Sequence, residues 1–256
     1  MKSLFISHGA PNLILTETPA ARFLDSELRL PAAAAYVVVS AHWCSRGAAR
    51  VAAVAQPETI HDFGGFEDEL YRLRYPAAGD VVRAASIVAS LAAQGIAAVC
   101  DDTRGFDHGV WVPLLLARPQ ADIPVIPVSL PYPVSAAQAM AFGAALRAAA
   151  GDDLLIIGSG AITHRLAGFG RYAPNDPPAP QAAMFRDWMA LQLAAGNHEA
   201  LAAYRTQAPH AAWNHPTDDH LLPLFVALGA GGFPACCLHS SWEWGILAMD
   251  VWEFGE

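Results

Sequence analysis

Histidine is the residue type that recurs at chemically useful places in this sequence. Four separate segments each contain one histidine, and each segment follows an apolar run typical of a buried strand. A single histidine in an apolar setting is more often a hydrogen-bonded structural residue, but several gathered in one cleft can bind a divalent metal ion. The four segments are Ser7-His8-Gly9, Ser40-Ala41-His42-Trp43, Gly105-Phe106-Asp107-His108-Gly109 and Gly158-Ser159-Gly160-Ala161-Ile162-Thr163-His164.

A later segment adds two more histidines, His215 and His220, on either side of Pro216-Thr217-Asp218-Asp219. A threonine followed by two aspartates is typical of the start of a helix, where the side chains bond free backbone N–H groups and face the positive end of the dipole. We therefore predict that Thr217 caps a helix beginning at Leu221 and that the acidic pair caps rather than catalyses. His220 then remains free to face a cleft.

The elements that would position these histidines follow from apolar periodicity. Alanine-rich stretches with helical spacing alternate with short apolar runs that resemble buried strands, and this alternation predicts one α/β domain, residues 1–256, with a mostly parallel central sheet and helices on both faces. Ligands bind such sheets beyond the carboxyl ends of the strands, so the histidines are expected to share one site. The predicted strands are Leu4–Ser7, Tyr36–Ser40, Val51–Ala55, Ile96–Cys100, Val125–Leu130, Leu154–Gly158 and Ile246–Val251, and the predicted helices are Asp80–Ala93, Ala136–Ala150 and Gln181–Ala194.

Other notable residues have plainer interpretations. The proline-rich stretch Pro174–Pro180 must be a loop. His198 and His210 are predicted to lie at the surface. His239 could equally be a core residue or a residue that supports the metal ligands from outside. The four cysteines lack metal-binding spacing and are predicted to be small core residues: Cys44, Cys100, Cys236 and Cys237.

Composition excludes several classes of function. The net charge of −9 and the 15 scattered basic residues argue against nucleic-acid binding, which requires clustered Lys and Arg. No apolar run reaches the roughly 18–20 residues of a membrane helix, and the N-terminus has no targeting pattern. We therefore expect no membrane association and a cytoplasmic location. The sequence does not indicate the oligomeric state.

In this order, the histidine segments resemble the class III extradiol ring-cleavage dioxygenases of the LigB-like superfamily, and most of all their DOPA 4,5-dioxygenase branch. Two further segments share the likeness, Ile60-His61-Asp62-Phe63-Gly64-Gly65-Phe66 and Pro216-Thr217-Asp218-Asp219-His220. The matching segments span nearly the whole chain, so the resemblance does not depend on one short motif.

The resemblance implies a role for seven histidines. His8, His42 and His220 would bind the metal, and His164 would be the catalytic acid/base beside it. His108 would contact substrate or dioxygen, and the remaining two, His61 and His215, would line the substrate pocket.

The resemblance also implies the cofactor and the substrates. Iron(II) is the expected metal for activity, and zinc(II) is expected to compete for the site in purified protein because neutral imidazoles bind it at least as well. The substrates would be dioxygen and a catechol-type aromatic, with DOPA-like compounds among the candidates, and the ring would open next to the diol.

Two other functions remain open on the same residues. Three histidines also bind zinc in hydrolases, where the metal activates water. A non-catalytic binding protein resembling the Memo branch of the superfamily is the second alternative, although the complete set of histidines favours catalysis.

Overall fold

The computed structural model describes residues 2–168, 170–173 and 176–256. Its ten strands in this part of the chain are β1 (Ser3–Ser7), β2 (Ala35–Ser45), β3 (Ala49–Ala52), β4 (Ala98–Asp101), β5 (Val125–Pro131), β6 (Leu154–Gly160), β7 (Ala235–His239), β8 (Trp242–Glu243), β9 (Leu247–Ala248) and β10 (Val251–Phe254). The α-helices in the same residues are α1 (Pro19–Arg22), α2 (Val81–Ala93), α3 (His108–Ala117), α4 (Ala136–Ala150), α5 (Pro180–Ala194), α6 (His198–Ala202), α7 (Tyr204–Gln207), α8 (Ala211–Asn214) and α9 (Leu222–Gly231).

Eight of the strands form one sheet in the order β4-β3-β5-β2-β6-β1-β10-β7. The four central strands, β5, β2, β6 and β1, run parallel to one another, whereas β3 and β10 run antiparallel to the central strands that they flank. β8 and β9 form a separate hairpin. The predicted α/β fold with a mostly parallel central sheet is therefore confirmed.

The central strands are apolar throughout because both of their faces are buried. Tyr36 and Val38 of β2 belong to one hydrophobic core, and Val37 and Val39 belong to the core on the opposite face. Successive side chains of a strand point to opposite faces, so helices must cover the sheet on both sides. α3 packs in the core that contains Tyr36 and Val38, and α2, α4 and α9 pack in the core that contains Val37 and Val39.

Glycines in β6 let α9 approach the sheet closely. A Cβ atom at Gly158 would lie 2.1 Å from the carbonyl oxygen of Pro223, and one at Gly160 would lie 2.2 Å from that of His220. Only glycine fits such an approach. This packing fixes His220 beside the carboxyl end of β6.

Three predicted helices agree with the structure to within one residue at their starts. α4 has the predicted bounds, and Ser135 caps it in a reciprocal arrangement with Gln138. Asp80 caps α2, where its carboxylate accepts the backbone N–H of Arg83 at 2.9 Å. Short polar side chains at these positions satisfy N–H groups that the helix itself leaves free.

The late strand was wrongly predicted. Residues 246–251 do not form one strand, because the chain makes the β8–β9 hairpin and β10 starts only at Val251. β7 and α3 were not predicted at all. α3 is apolar on every side and contains Pro113, so its sequence lacks the alternation of polar and apolar residues that marks an amphipathic helix.

The acidic pair near His220 was also wrongly interpreted. α9 begins at Leu222, after both aspartates, and Leu221 makes no side-chain cap. Pro223 explains the start, because proline has no N–H to donate and is tolerated only in the first turn. Asp218 instead pairs with Arg205 at 2.5 Å, and Asp219 bonds His220.

The four cysteines are exposed and free, so their prediction as core residues was wrong. Cys100 lies on the edge strand β4, and Cys236 and Cys237 lie on the opposite edge strand β7. Cys44 follows the irregularity in β2. Edge positions leave small side chains open to solvent even when the strand itself is apolar.

Of the predicted proline-rich loop, Pro174 and Asn175 lie outside the described residues. Residues 176–179 form neither helix nor strand, and Pro180 is the first residue of α5. Among the described residues, no helix has the length and apolar character needed to cross a membrane.

Candidate metal centre

Five histidines from five segments converge at the carboxyl end of the central strands. His8 follows β1, His108 is the first residue of α3, and His220 lies two residues before the start of α9. His164 lies in the loop after β6. His42 lies inside β2 rather than after it, because β2 continues to Ser45 past a register shift between Ser40 and Cys44.

Three of these side chains bring their Nε2 atoms together. The Nε2 atom of His42 is 3.1 Å from that of His8 and 3.3 Å from that of His220. Nitrogen ligands about 2.1 Å from a shared ion stand roughly 3.0–3.4 Å apart, depending on the coordination geometry. His8, His42 and His220 could therefore hold one metal ion.

The hydrogen-bond partners of His8 fix which of its nitrogens carries the proton. The hydroxyl of Ser159 donates to the carbonyl oxygen of Gly109 at 2.5 Å, and its Oγ atom lies 2.9 Å from Nδ1 of His8. Since the hydroxyl proton is already used, Ser159 can only accept, and Nδ1 of His8 must donate. Nε2 of His8 therefore presents a lone pair to the centre.

The Asp219 carboxylate does the same for His220, whose Nδ1 donates to it at 2.5 Å. Nδ1 of His42 faces Oδ2 of Asp62 at 3.6 Å, which is too long for a hydrogen bond. His8 and His220 thus each present an Nε2 lone pair beside the Nε2 atom of His42, an arrangement that a cation would stabilise. Such outer carboxylates are the usual partners of metal-bound histidines.

The surroundings keep the centre neutral in the absence of metal. Burial, reinforced by the neighbouring imidazoles, lowers the pKa of His8 well below its usual range and that of His42 to about 2. The same two causes lower the pKa of His164 to about 3. Neutral imidazole is the form that binds metal ions, so these side chains need to release no proton on binding.

Asp62 connects the metal-capable cluster to His108. One oxygen of its carboxylate accepts the backbone N–H of His108 at 2.9 Å and the Nδ1 proton of the same residue at 3.0 Å. Although burial raises the pKa of Asp62, the bonds from His108 lower it to about 2 overall. The sequence motif contained Asp62, but no role was predicted for it, because its partner lies 46 positions away.

His164 and His108 flank the cluster on opposite sides. The His164 ring stacks on His220 with 3.4 Å between centroids and 9° between planes. The His108 ring lies 3.9 Å from that of His42. Both side chains also line the pocket that opens onto the cluster.

The pocket has a volume of about 290 Å³ and two distinct parts. We call its imidazole-lined part the floor, which consists of His8, His42, His108, His164 and His220. The opposite part, the rim, is apolar and consists of Phe63, Phe66, Leu166 and Leu247. Gly9, Ala10 and Pro11 complete the lining in the described part of the chain.

The structure does not bring His61 and His215 into this lining. His215 is fully buried, and its Nε2 atom donates to the carbonyl oxygen of Ile162 at 2.7 Å. Nε2 of His61 lies 3.2 Å from the carbonyl oxygen of Leu73, and its ring packs near Trp111. His239 is half-buried and stacks on Phe23, away from the floor, and His198 and His210 are exposed as predicted.

Fold and site together define an α/β protein with a metal-capable histidine centre at the carboxyl edge of its sheet. The profile of the family described as "Catalytic LigB subunit of aromatic ring-opening dioxygenase" matches residues 24–244. The chain belongs to this family. The resemblance noted from the sequence is therefore confirmed at the level of the family.

Individual relatives agree with this assignment. The chain is 37% identical to "4,5-DOPA dioxygenase extradiol" of Beta vulgaris, over 99% of this chain and 96% of the relative. It is 34% identical to the protein of the same name from Escherichia coli K12, over 100% and 95% respectively. These relatives support an extradiol dioxygenase, which is an oxidoreductase.

A solved structure has the same architecture. The crystal structure of an uncharacterized protein from Escherichia coli K12 superimposes with a TM-score of 0.75, covering 100% of both chains at 27% identity. The similarity extends over the whole α/β domain, so the sheet that positions the histidines belongs to the shared fold.

Proposed function

We propose that this chain opens a catechol-type aromatic ring next to its diol with dioxygen, using a non-haem metal ion held by His8, His42 and His220. The convergence of three histidine Nε2 atoms on the floor of a pocket supports the proposal most directly. Membership of a ring-opening dioxygenase family and the names of the relatives support the choice of reaction.

We assign the activity to the iron(II) form. Bound iron(II) would supply the exchange of electrons between catechol and dioxygen, which zinc(II) cannot supply because it has no redox chemistry. Neutral imidazoles nevertheless bind zinc(II) at least as well as iron(II). Purified protein is therefore expected to contain some zinc and to gain activity on exchange for iron.

In this proposal His164 is the acid/base. It lines the pocket beside His220, and burial keeps its ring unprotonated, with a pKa of about 3 in the metal-free protein. Because the ring is unprotonated, one of its nitrogens is available to accept a proton from a catechol hydroxyl, whose acidity a bound metal ion would raise. The same nitrogen can return that proton to the product.

His108 would orient the bound ligand and would not act as an acid or a base. Because Asp62 accepts the proton on Nδ1, the tautomer and the ring plane of His108 are fixed. Nε2 is then free to hydrogen-bond a bound ligand. The rim would hold the aromatic ring and exclude water, and His61 and His215 would act only through the packing around the pocket.

The test uses the full chain, stripped of metal and reconstituted anaerobically with iron(II). Each catechol of a panel is then mixed with the iron-loaded chain in oxygenated buffer. Dioxygen uptake and the formation of a yellow product are followed. Equal consumption of catechol and dioxygen is the expected result, and the zinc-loaded chain is the matched control that should be inert.

Three outcomes would contradict the proposal. Equal rates with zinc and iron would remove the redox role of the metal. Hydrolysis of an ester or amide by the zinc form would favour the hydrolase alternative. A metal-loaded chain that converted neither class of compound would favour a binding protein.

A further inference from the structure

We infer that the pocket takes a catechol with an uncharged, apolar substituent and discriminates against an amino-acid side chain such as that of DOPA. The inference rests on the proposed function and narrows its substrate class. Apart from the five histidines of the floor, every lining residue in the described part of the chain is apolar or glycine. Specificity among catechols would therefore come from the rim.

Charged residues beside the lining in sequence are directed to other partners. Asp62 is occupied by His108, and Asp219 by His220. Asp107 accepts hydrogen bonds from Ser40 and Arg104. The guanidinium of Arg165 lies 5.1 Å from the ring centroid of Trp213 and donates to the carbonyl oxygen of that residue at 3.4 Å. None of these groups lines the pocket.

The remaining charged neighbour would not assist an amino acid either. Glu67 follows Phe66, is exposed, and accepts a hydrogen bond from Asn12 at 3.4 Å. A carboxylate there repels the carboxylate of an amino-acid substituent while it attracts the ammonium group, so it offers a zwitterion no partner for both charges. The residues outside the described ranges have no charged side chain that could compensate, since they are Met1, Phe169, Pro174 and Asn175.

The rim itself is arranged as an apolar wall. The Phe63 ring meets Phe66 edge-to-face with centroids 5.5 Å apart, and it meets Tyr71 at 5.3 Å. An apolar substituent gains free energy by leaving water for this wall, whereas a zwitterion would lose the hydration of two charges without gaining partners. Binding energy that depends on this contact should discriminate strongly between the two kinds of substituent.

The first experiment compares substituents of similar length on the iron-loaded full chain. 4-Propylcatechol differs from 3-(3,4-dihydroxyphenyl)propionate and from L-DOPA mainly in charge. We expect kcat/KM for 4-propylcatechol to exceed that for each of the other two compounds by about tenfold or more. Even one mismatched group in an apolar pocket commonly lowers kcat/KM by such a factor. Equal or better use of L-DOPA would overturn the inference.

The second experiment changes the charge of the rim. Leu166→Arg places a cation at the pocket, and Leu191→Arg places one at a similarly exposed position on α5, outside the pocket lining. Leu166→Arg should lower the preference for 4-propylcatechol over the propionate by about tenfold, and Leu191→Arg should leave it unchanged. The inference fails if both variants behave alike.

Binding separates this inference from the proposed function. Calorimetry with the zinc-loaded chain measures the affinity for the same three catechols without turnover, and tighter binding of 4-propylcatechol is expected. If no catechol is consumed but this order of affinities holds, the reaction is wrong and the pocket preference is right. If catechols are consumed and L-DOPA binds at least as tightly, the reaction stands and the preference is wrong.

Discussion

The floor and the rim of the pocket are built in different ways. Two floor histidines have their outer nitrogens bonded to groups from distant segments, Ser159 for His8 and Asp62 for His108, and His220 bonds the neighbouring Asp219. Rim side chains have no polar partner. Phe63 and Phe66 come from the irregular segment between β3 and α2, and Leu166 comes from a single 3₁₀ turn.

This difference separates chemistry from recognition. Replacing His8, His108 or His220 leaves the hydrogen-bond partner of that ring unpaired, which costs about 1–3 kcal/mol where the partner is buried. A rim residue contributes apolar contact that another apolar residue can replace. Members of one family with the same floor could therefore act on different aromatic substrates through substitutions in the rim alone.

The largest expected effect is the loss of a metal ligand. His220→Ala should reduce bound metal from about one ion per chain to nearly none and should abolish turnover, because two imidazoles hold an ion far less well than three. Metal analysis after dialysis measures this directly. His198→Ala, an exposed histidine on α6, is the matched control and should retain metal.

His164→Ala should separate catalysis from metal binding. The variant is expected to retain its metal and lose about 10²–10⁴-fold in kcat, the usual contribution of a general acid–base group. Metal content and dioxygen uptake are measured on the same sample. If this variant lost its metal and His220→Ala kept it, the roles of the two stacked rings would have to be exchanged.

Asp62→Asn tests whether the outer partners of the floor matter. The substitution keeps the shape of the side chain but removes the charge that holds His108 and faces His42. Changes to such partners typically cost about 10–100-fold in metal affinity or activity. We expect kcat to fall by this factor while KM for a catechol changes little.

Asp68→Asn is the control for that variant, because Asp68 is exposed in the same segment and does not line the pocket. Equal effects of the two substitutions would mean that Asp62 acts only through the net charge of this segment and not through its hydrogen bonds to His108. A rise in KM with unchanged kcat would place its role in substrate binding instead.

Local sequence patterns were sufficient to predict the core of the fold. The continuous apolar runs of β1, β5 and β6 could have no other explanation than burial on both faces, and the predicted bounds of α4 agree with the structure. The convergence of His8, His42, His108 and His164 followed from one rule about strand ends in parallel sheets, whereas His220 was assigned to the site by the family resemblance. The assignment of ligand and acid/base roles among them remains a prediction.

The failures concern contacts and positions that only the folded chain defines. Asp219 could be interpreted as a helix cap because the sequence does not show that Pro223 delays the helix or that His220 needs the carboxylate. The cysteines looked like core residues because sequence does not show which strands lie at the edges of the sheet. Ser159 is separated from His8 by 151 positions, so its role in setting the tautomer could be found only from the folded chain.

The smallest expected effect is at the rim, where Phe66→Ala removes half-buried apolar surface without touching the histidines. Loss of about 25 cal/mol for each Å² of contact would raise KM for an apolar catechol by roughly three- to tenfold. Contact of this kind stabilises bound substrate and transition state alike, so kcat should stay within about twofold. Val82→Ala, a truncation at an exposed position on α2, should change neither constant. Steady-state kinetics with 4-propylcatechol and metal analysis of both variants are sufficient for the test. If Phe66→Ala lowered kcat or metal content to the level of His164→Ala, the rim would take part in the chemistry and the distinction between floor and rim would not hold.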